Sequence, residues 1–411
     1  MEFRDGIFPI LEGCFSLGFK PDLPQYLLME SKLPHIGTTI FTVMSKLASD
    51  EGAINLSQGF PGFGADPDLL ELVGKYTMKG FNQYPPMAGI LGLRQILAEK
   101  TQLTQGYLPD PEREVTIVSG ATEALFAAAS AVVRRGDEVI VLEPGYDSYE
   151  PAITLNGGQP VYVPLEEKDF SVNWQRVRDA ITEKTRAIFV NSPHNPSGYV
   201  WTKSDLDELA HVIRGREIFV ISDEVYEHIT FDGKKHHSIG SHPELREKTF
   251  VCGSFGKTFH VTGWKIGYCI APPEMTNEFR KIHQYLTFTT VTPMQYALAE
   301  YLEKPERYLS IPDFYQKKRD LFISGLSQTD FHFRPSCGSF FQLVNYGHLS
   351  KMPDRELATR MTKELKVACI PVSVFYSDKK DKQVLRFCFA KEEAELLEAL
   401  GRLRDLNRIL A

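Results

Sequence analysis

The sequence predicts an α/β protein: a large domain with a mostly parallel sheet covered by helices, and a smaller α+β domain. Residues 115–118, 139–142 and 187–190 are apolar, mostly β-branched runs in the middle of the chain, and helical segments separate them. Strands that are apolar at every position are typical of sheets buried on both faces. The C-terminal third differs, since the strand-like runs 340–344 and 384–389 precede a helix striped with leucine. This change in the pattern of predicted strands and helices predicts the second domain.

Local signals place the helices between these strands. An Ala-rich helix is expected from Thr122 to about Arg135, because the arginine suits a helix C-terminus and Gly136 can adopt the left-handed cap. A second helix is expected from about Lys203. Thr202 forms a capping-box pattern with Asp205, apolar residues recur with a 3.6-residue period, and a glycine follows at 215.

Further elements follow these helices along the chain. Residues 218–221, 250–252 and 266–269 are predicted strands, and 305–312 is predicted to be a connector between helices. We expect an N-terminal arm at 29–60 that belongs to the small domain, a large domain at 61–303, and a C-terminal small domain at 304–411.

The first 28 residues are predicted to be an extension without an assigned role. A secretory signal is disfavoured because Glu2, Asp5 and Glu12 interrupt it and no small-residue cleavage site follows. Met29 begins the segment 29–34 (MESKLP) and is the alternative start of the natural chain. A native peptide that spans residues 27–30 would contradict that alternative.

Composition excludes several classes of protein. The 411 residues carry 46 Lys plus Arg against 53 Asp plus Glu, a net charge of −7. This balance disfavours nucleic acid and anionic membranes as partners. No window approaches the roughly 18 apolar residues that span a bilayer. The six cysteines form no C-x-x-C pair, which argues against a metal site or a disulfide framework and predicts a cytoplasmic location.

Candidate binding residues follow the strands, because ligands of such sheets lie outside the carboxyl ends of the strands. Gly120-Ala121-Thr122 begins a helix and can bind an anion, although an ordinary helix start is the commoner meaning of such a run. Tyr146 is either a packing aromatic or a stacking platform, and Asn195 lies in a proline-rich turn. Asp223 ends a buried strand and needs a partner, either a helix N–H or a cationic ring nitrogen.

The most informative run is residues 253–267, GSFGKTFHVTGWKIG. Its Gly256-Lys257-Thr258 resembles the tail of a Walker A loop, but position 251, which should be glycine, is Val251. The chain also lacks a G-x-G-x-x-G motif, so nucleotide binding is disfavoured. Lys257 and Lys265 lie among four glycines, a serine and a tryptophan. A lysine in such a crowded, partly cationic setting can have its pKa lowered enough to form an imine.

This run resembles the cofactor-lysine signature of the fold-type I (class I) pyridoxal-phosphate aminotransferases. Within that family the likeness is to bacterial methionine aminotransferases and to the kynurenine aminotransferase/glutamine transaminase K group. It rests on residues 55–61 (NLSQGFP), 82–86 (NQYPP), 192–196 (SPHNP) and 370–375 (IPVSVF). The resemblance covers roughly residues 31–408.

The resemblance implies a role for each residue around the cofactor ring. Lys257 would carry pyridoxal 5′-phosphate covalently and then act as the general acid–base for the proton shift. Asp223 would pair with the protonated ring nitrogen. Tyr226 and Asn195 would hydrogen-bond the phenolic oxygen, and Tyr146 would stack on the ring face.

The resemblance also implies a phosphate shell, which consists of Gly120, Ala121, Thr122, Ser254 and Lys265. Much of the family has arginine where Lys265 stands; lysine keeps the charge but loses the bidentate geometry. Tyr84 would reach the phosphate of the neighbouring subunit. A homodimer with shared active sites follows from that role.

Substrate binding is implied for a further set of residues, and also for Asn195. Arg386 would hold the α-carboxylate as a bidentate pair, assisted by the backbone of Gly59, and closure of the small domain would move it inward. The stretch 285–294 has no arginine for a second carboxylate. With Phe41 and Phe288 it predicts an apolar pocket for methionine, aromatic amino acids, glutamine or kynurenine, with a 2-oxo acid as acceptor. An aromatic stripe is equally compatible with core packing.

Two other functions remain open from the sequence. A cysteine S-conjugate β-lyase would use the same carbanion and expel a leaving group from Cβ. A non-catalytic protein of this fold, such as a fused transcriptional regulator, is disfavoured because residues 1–28 are too short for a helix-turn-helix domain and the lysine is present.

Overall fold

Three sheets organise the computed structural model, which describes residues 30–410. Their strands, in chain order, are β1 (Ile54–Asn55), β2 (Val115–Val118), β3 (Glu138–Glu143), β4 (Gln159–Pro164), β5 (Thr185–Asn191), β6 (Phe219–Asp223), β7 (Thr249–Ser254), β8 (Gly267–Ile270), β9 (Phe341–Asn345), β10 (Val367–Ala368), β11 (Ile370–Pro371) and β12 (Val384–Cys388).

The largest sheet has seven strands in the order β2-β8-β7-β6-β5-β3-β4. Strand β8 runs antiparallel to both of its neighbours, β2 and β7, and the other adjacent pairs are parallel. The predicted mostly parallel sheet is therefore confirmed. Strands β2, β6 and β8 are buried or nearly so along their length, as expected for a sheet that is covered on both faces.

The helices cover the sheets and connect the strands. Their bounds are α1 (Ile40–Asp50), α2 (Pro67–Met78), α3 (Leu91–Gln105), α4 (Gly120–Val132), α5 (Tyr149–Leu155), α6 (Trp174–Ala180), α7 (Lys203–Ile213), α8 (Pro243–Arg246), α9 (Phe255–Thr258), α10 (Pro273–Leu286), α11 (Thr292–Leu302), α12 (Glu306–Leu309), α13 (Ile311–Leu326), α14 (Asp354–Arg360), α15 (Glu393–Leu403) and α16 (Asn407–Leu410).

Local sequence signals account for most of these bounds. Helix α7 begins with the predicted capping box, in which Thr202 and Asp205 each accept a hydrogen bond from the other's backbone. Helix α4 ends at Val132, three residues before the predicted Arg135. Val133 is buried with an extended backbone, so the chain leaves the helix to pack this side chain in the core. Gly136 adopts the expected left-handed conformation (φ +89°).

The predicted connector at 305–312 was wrong. This stretch contains the whole of helix α12 and the start of helix α13. Pro312 occupies the first turn of α13, where the missing backbone N–H has no intrahelical partner to lose. The proline therefore marks a helix start.

A second, smaller sheet is built from the C-terminal part of the chain. Strands β11, β12 and β9 form it in that order and are antiparallel, with Arg386 opposite Ile370 and Leu343. Strand β1 pairs with β10 in a separate two-stranded parallel ladder. The chain divides after His35: residues 30–35 form bends and a turn, and the remainder is one compact unit. The predicted domain boundaries stay a prediction, and the extension at 1–28 lies outside the described residues.

Parallel strands place their carboxyl ends at one edge of the large sheet. Asn191, the last residue of β5, lies opposite Asp223 at the end of β6, and Asp223 lies opposite Cys252 near the end of β7. The segments that follow these strands carry Asn195 and Lys257. A ligand site is expected at this edge.

Candidate active site

A cavity of about 370 Å³ lies at the carboxyl edge of the large sheet. It is lined by residues predicted from the sequence, which are Phe41, Gly59, Gly120, Ala121, Thr122, Tyr146, Asn195, Asp223, Tyr226, Ser254, Lys257, Lys265 and Arg386. It is also lined by residues that sequence reasoning missed, which are Gln58, Phe60, Leu125, Val225, Gly256, Thr262, Ile266 and Phe341. Segments from both ends of the chain therefore meet at one site.

Lys257 lies on α9, a single helical turn that follows β7. Ser254 caps this turn by accepting a hydrogen bond from the Gly256 N–H, at 3.1 Å. The Lys257 amine donates to the carbonyl oxygen of Gly59 at 2.7 Å. Burial lowers the pKa of Lys257 to about 8, and the charges of Arg386 and Lys265 act in the same direction. About a tenth of this amine is unprotonated at pH 7, far more than for an ordinary lysine, as a nucleophile or a general base requires.

Asp223 is a buried carboxylate at the end of β6. Its Oδ2 accepts a hydrogen bond from the Tyr149 hydroxyl at 2.8 Å, and its Oδ1 accepts one from the Val225 N–H at 3.3 Å. Burial raises the pKa of Asp223 to about 6. An ionised carboxylate here would be stabilised further by a cation, such as a protonated ring nitrogen, in the cavity that it lines.

Tyr149 was missed by sequence reasoning. Its ring stacks on Phe189, with centroids 4.9 Å apart, and contacts Tyr146 edge-on at 5.8 Å. Its position three residues after Tyr146, in the same strand-end segment, is the only sequence signal that points to it. Tyr149 fixes the orientation of Asp223, while Tyr146 lines the cavity itself.

The start of helix α4 forms an anion cradle, which we define as Gly120, Ala121, Thr122, Ser254 and Lys265. The Lys265 amine approaches the Thr122 hydroxyl oxygen at 3.3 Å. Gly120 has a left-handed backbone (φ +76°), and a Cβ there would come within 3.3 Å of the Lys265 amine. Helix N–H groups, two hydroxyls and an ammonium match the acceptor oxygens and the charge of a phosphate. The cradle fits the phosphate of pyridoxal phosphate.

Arg386, on β12, is almost fully buried, with 1% of its surface exposed. Its Nη1 donates to Asn195 Oδ1 at 2.8 Å, and its Nη2 donates to the Ser57 carbonyl oxygen at 3.1 Å. The guanidinium lies 3.9 Å from the centroid of the Phe341 ring. Its Nε has no hydrogen-bond partner among residues 30–410. Burial lowers the pKa of Arg386 to about 10, so it stays cationic at neutral pH and can bind a carboxylate.

Asn195 and Tyr226 both line the cavity. The Asn195 N–H donates to Asn191 Oδ1 at 2.7 Å, which fixes the turn after β5. The Tyr226 ring packs edge-on against Phe340 and Phe341, at 5.1 and 5.8 Å. Burial raises the pKa of Tyr226 well above its ordinary value, so its hydroxyl remains a hydrogen-bond donor.

Two predicted site residues, Tyr84 and Phe288, do not line the cavity of this chain. Their rings contact each other edge-on at 5.5 Å, and Tyr84 is 83% exposed. Their predicted roles in a shared site require a second copy of the chain. Within the described residues, no helix has the length and apolarity to cross a membrane, and no group of three or more His, Cys, Asp or Glu side chains could hold a metal ion.

Comparisons with known proteins identify the family. The profile of the family described as aminotransferase class I and II matches residues 51–403. Methionine aminotransferase of Escherichia coli (strain K12) is 49% identical over 381 residues, covering 92% of this chain and 99% of that protein. Kynurenine–oxoglutarate transaminase of Dictyostelium discoideum is 34% identical over 416 residues, covering 90% of this chain and 95% of that protein.

A solved structure extends the likeness to three dimensions. The crystal structure of an Escherichia coli protein with a methionine aminotransferase function superimposes with a TM-score of 0.90 at 49% identity, covering 92% of this chain and all of that one. The predicted fold class and family resemblance are therefore confirmed. The chain belongs to the class I and II aminotransferases and is a pyridoxal-phosphate-dependent aminotransferase.

Proposed function

We propose that this aminotransferase moves the amino group of a neutral L-amino acid, with methionine as the leading donor, to a 2-oxo acid by ping-pong exchange. The observation that carries the proposal is the setting of Arg386. Its buried guanidinium, whose Nε has no hydrogen-bond partner within residues 30–410, lines the same cavity as Lys257, and the wall of that cavity includes Phe41, Phe60 and Phe341. Such a site matches one carboxylate, one reacting amine and an uncharged side chain.

Lys257 would bind the cofactor and move the proton. When bound, pyridoxal phosphate supplies an electron sink that stabilises negative charge at the substrate α-carbon. The residue that removes and returns the α-proton needs a pKa near the working pH. With a pKa of about 8, Lys257 meets this requirement.

Asp223 would hold the proton on the ring nitrogen. Its carboxylate is oriented by Tyr149 and by the Val225 N–H, so little reorganisation is needed to accept a ring N–H. A cation at this position would lower the carboxyl pKa below the value of about 6 that burial gives it. Asn195 and Tyr226 would contact the phenolic oxygen, Tyr146 would stack on the ring, and the anion cradle would hold the phosphate.

Arg386 would bind the substrate α-carboxylate. The hydrogen bonds to Asn195 and Ser57 fix the plane of its guanidinium, and the Phe341 ring supports one face. The Gly59 carbonyl, which holds the Lys257 amine, would position the reacting lysine, and the Gly59 backbone would lie against the substrate. A Cβ at Gly59 would clash with the Phe341 ring at 2.9 Å, so this close packing favours glycine.

The side chain of the substrate would face an apolar wall. Among the described residues that line the cavity, Arg386 is the only arginine, so a second carboxylate would lack a bidentate partner. The names of two relatives, a methionine aminotransferase and a kynurenine–oxoglutarate transaminase, agree with an uncharged donor. Aromatic amino acids, glutamine and kynurenine are the further candidates. Phe288 of a partner subunit would complete this wall.

An amino-donor screen tests this choice. We expect methionine and aromatic donors to give a kcat/KM at least about 100-fold above that of aspartate, because a buried carboxylate without a partner is strongly disfavoured. The screen should include methionine, phenylalanine, kynurenine, glutamine and aspartate with one common 2-oxo acid. Aspartate as the preferred donor would contradict the proposal.

A homodimer with shared sites is proposed on the exposed aromatic surface. Tyr84, Tyr285 and Phe288 are all substantially exposed, and such surfaces commonly mark interfaces. Tyr84 of one subunit would reach the phosphate of the other. Light scattering should give twice the 46.6 kDa chain mass; a monomer with full activity would contradict the shared site. A cytoplasmic location stays a prediction.

The cysteine S-conjugate β-lyase alternative is not favoured, since the relatives described above are named as an aminotransferase and a transaminase. A non-catalytic role is likewise not favoured.

A further inference from the structure

A buried histidine–glutamate pair lies behind the anion cradle, outside the cavity. It joins His283 on helix α10 to Glu123 in the first turn of helix α4, with His283 Nδ1 and Glu123 Oε1 2.5 Å apart. The His283 side chain is fully buried, and 7% of the Glu123 side chain is exposed. None of the roles described above uses this pair.

The groups around Glu123 match an ionised carboxylate. Its Oε2 accepts a hydrogen bond from the Ser119 N–H, and its Oε1 accepts one from the Thr287 hydroxyl at 2.7 Å. Burial alone would raise the pKa of Glu123, but the hydrogen bonds with His283, the Ser119 N–H and the Thr287 hydroxyl hold it below its ordinary value. An ionised carboxylate only accepts hydrogen bonds, so His283 Nδ1 must be the donor.

The other ring nitrogen of His283 has an equally clear partner. His283 Nε2 lies 3.0 Å from the carbonyl oxygen of Met87, which is also an acceptor. A neutral imidazole has one N–H and cannot donate to two acceptors, whereas an imidazolium can. Glu123 is the one ionisable side chain that hydrogen-bonds this ring within residues 30–410. The Phe279 ring stacks on it, with centroids 6.4 Å apart.

Because Glu123 lies in the first turn of helix α4, its negative charge affects phosphate binding at the anion cradle. Glu123 accepts a hydrogen bond from the N–H of Ser119. Ser119 directly precedes Gly120 of the cradle. A negative charge in the first turn stabilises a helix, but it also repels a phosphate bound at the same helix end. A cationic partner removes that repulsion while leaving the helix contact in place.

His283 also joins this helix to the two segments that carry Tyr84 and Phe288. Met87 follows Tyr84 by three residues, and its carbonyl oxygen is a partner of His283. The N–H groups of Thr287 and Phe288 both donate to the His283 backbone carbonyl, at 3.2 and 3.1 Å. One residue therefore contacts the phosphate helix and both segments proposed to face the partner subunit.

We infer that His283 is a buried imidazolium and a positioning residue, which neutralises Glu123 behind the anion cradle so that the cradle can bind a phosphate dianion. This inference rests on the proposed use of the cradle for the cofactor phosphate. It assigns a function to a histidine that lies outside the cavity and touches no reacting atom.

The charge state can be measured directly on the wild-type chain. Histidine-selective ¹⁵N labelling, with the His283 signals assigned by their loss in His283→Gln, should show both ring nitrogens protonated at neutral pH. A single protonated ring nitrogen would overturn the inference. This measurement needs neither the cofactor nor catalytic activity.

Cofactor binding tests the effect on the cradle. In His283→Gln, affinity for pyridoxal phosphate should fall at least about tenfold, while affinity for pyridoxal, which lacks the phosphate, should change less than about threefold. The double variant His283→Gln/Glu123→Gln removes both charges and should recover most of the lost affinity. The matched control is His211→Gln, an exposed histidine on α7, which should bind both ligands like wild type.

The outcomes separate the inference from the proposed function. Equal losses for the two ligands, or a double variant no better than the single one, would indicate a purely structural pair and overturn the inference. A wild-type protein that binds pyridoxal as tightly as pyridoxal phosphate would contradict the proposed use of the cradle itself. If His283→Gln does not fold by circular dichroism, the Glu123→Gln variant replaces it. With one negative charge fewer beside the cradle, it should bind pyridoxal phosphate at least as tightly as wild type, and a selective loss would overturn the inference.

Discussion

Replacing Lys257 with alanine should lower the transamination rate at least about a thousandfold. The substitution removes both the amine that captures the cofactor and the group proposed to move the α-proton, and each role alone is worth orders of magnitude. The Gly59 carbonyl loses its donor, but the fold should remain, because the lysine is only half-buried at the cavity wall. Steady-state rates with methionine and a 2-oxo acid, together with a thermal melt, check both expectations.

Lys363→Ala is the matched control for this experiment, since Lys363 is exposed and outside the cavity. It should retain wild-type activity. Activity within tenfold of wild type in Lys257→Ala would contradict the assignment.

The lowered pKa of Lys257 predicts how the rate of cofactor capture depends on pH. Only the unprotonated amine attacks an aldehyde, and burial lowers the pKa of this amine from 10.5 to about 8. The rate at which the apoprotein captures pyridoxal phosphate should therefore rise as the pH approaches 8 and level off above it. A rate that continues to rise toward 10.5 would indicate an ordinary surface lysine.

Replacing Arg386 with alanine should raise the KM for every amino donor by roughly a hundredfold. Loss of a buried, hydrogen-bonded partner of a carboxylate removes about 3 kcal/mol, which corresponds to that factor. Arg386→Lys should fall between wild type and alanine, because it keeps the charge and loses the bidentate geometry. Donor KM values for methionine, phenylalanine and glutamine provide the measurement.

The control for Arg386 is Arg355→Ala, an exposed arginine on α14. Cofactor affinity should stay near wild type in Arg386→Ala, since this residue is proposed to contact the substrate and not the cofactor. A KM increase restricted to one donor would mean that Arg386 recognises a side chain and not the common α-carboxylate.

Sequence reasoning located the cavity because much of its chemistry lies in short contiguous runs. Gly120, Asn195 and Lys257 follow strands that the apolar pattern reveals, and Asp223 ends one. Parallel strands bring their carboxyl ends together. For these residues, the order of elements along the chain already implies proximity in space.

Residues whose role depends on packing could not be found in this way. Tyr149 reaches Asp223 across 74 positions, and His283 reaches Glu123 across 160, with no periodicity that links either pair. Phe341 lies in a run that was predicted only to be a strand, yet its ring supports Arg386. Arg386 itself was placed only by the family resemblance. The predicted role of Tyr84 is not tested by a single chain, since it depends on a second chain.

The most direct test of the cofactor site is to reduce the purified holoenzyme with borohydride and map the modified residue by peptide mass spectrometry. Reduction should fix the cofactor to Lys257, within the peptide that carries the 253–267 run. Modification of Lys265, of another lysine or of none would contradict the placement of the active site in this cavity.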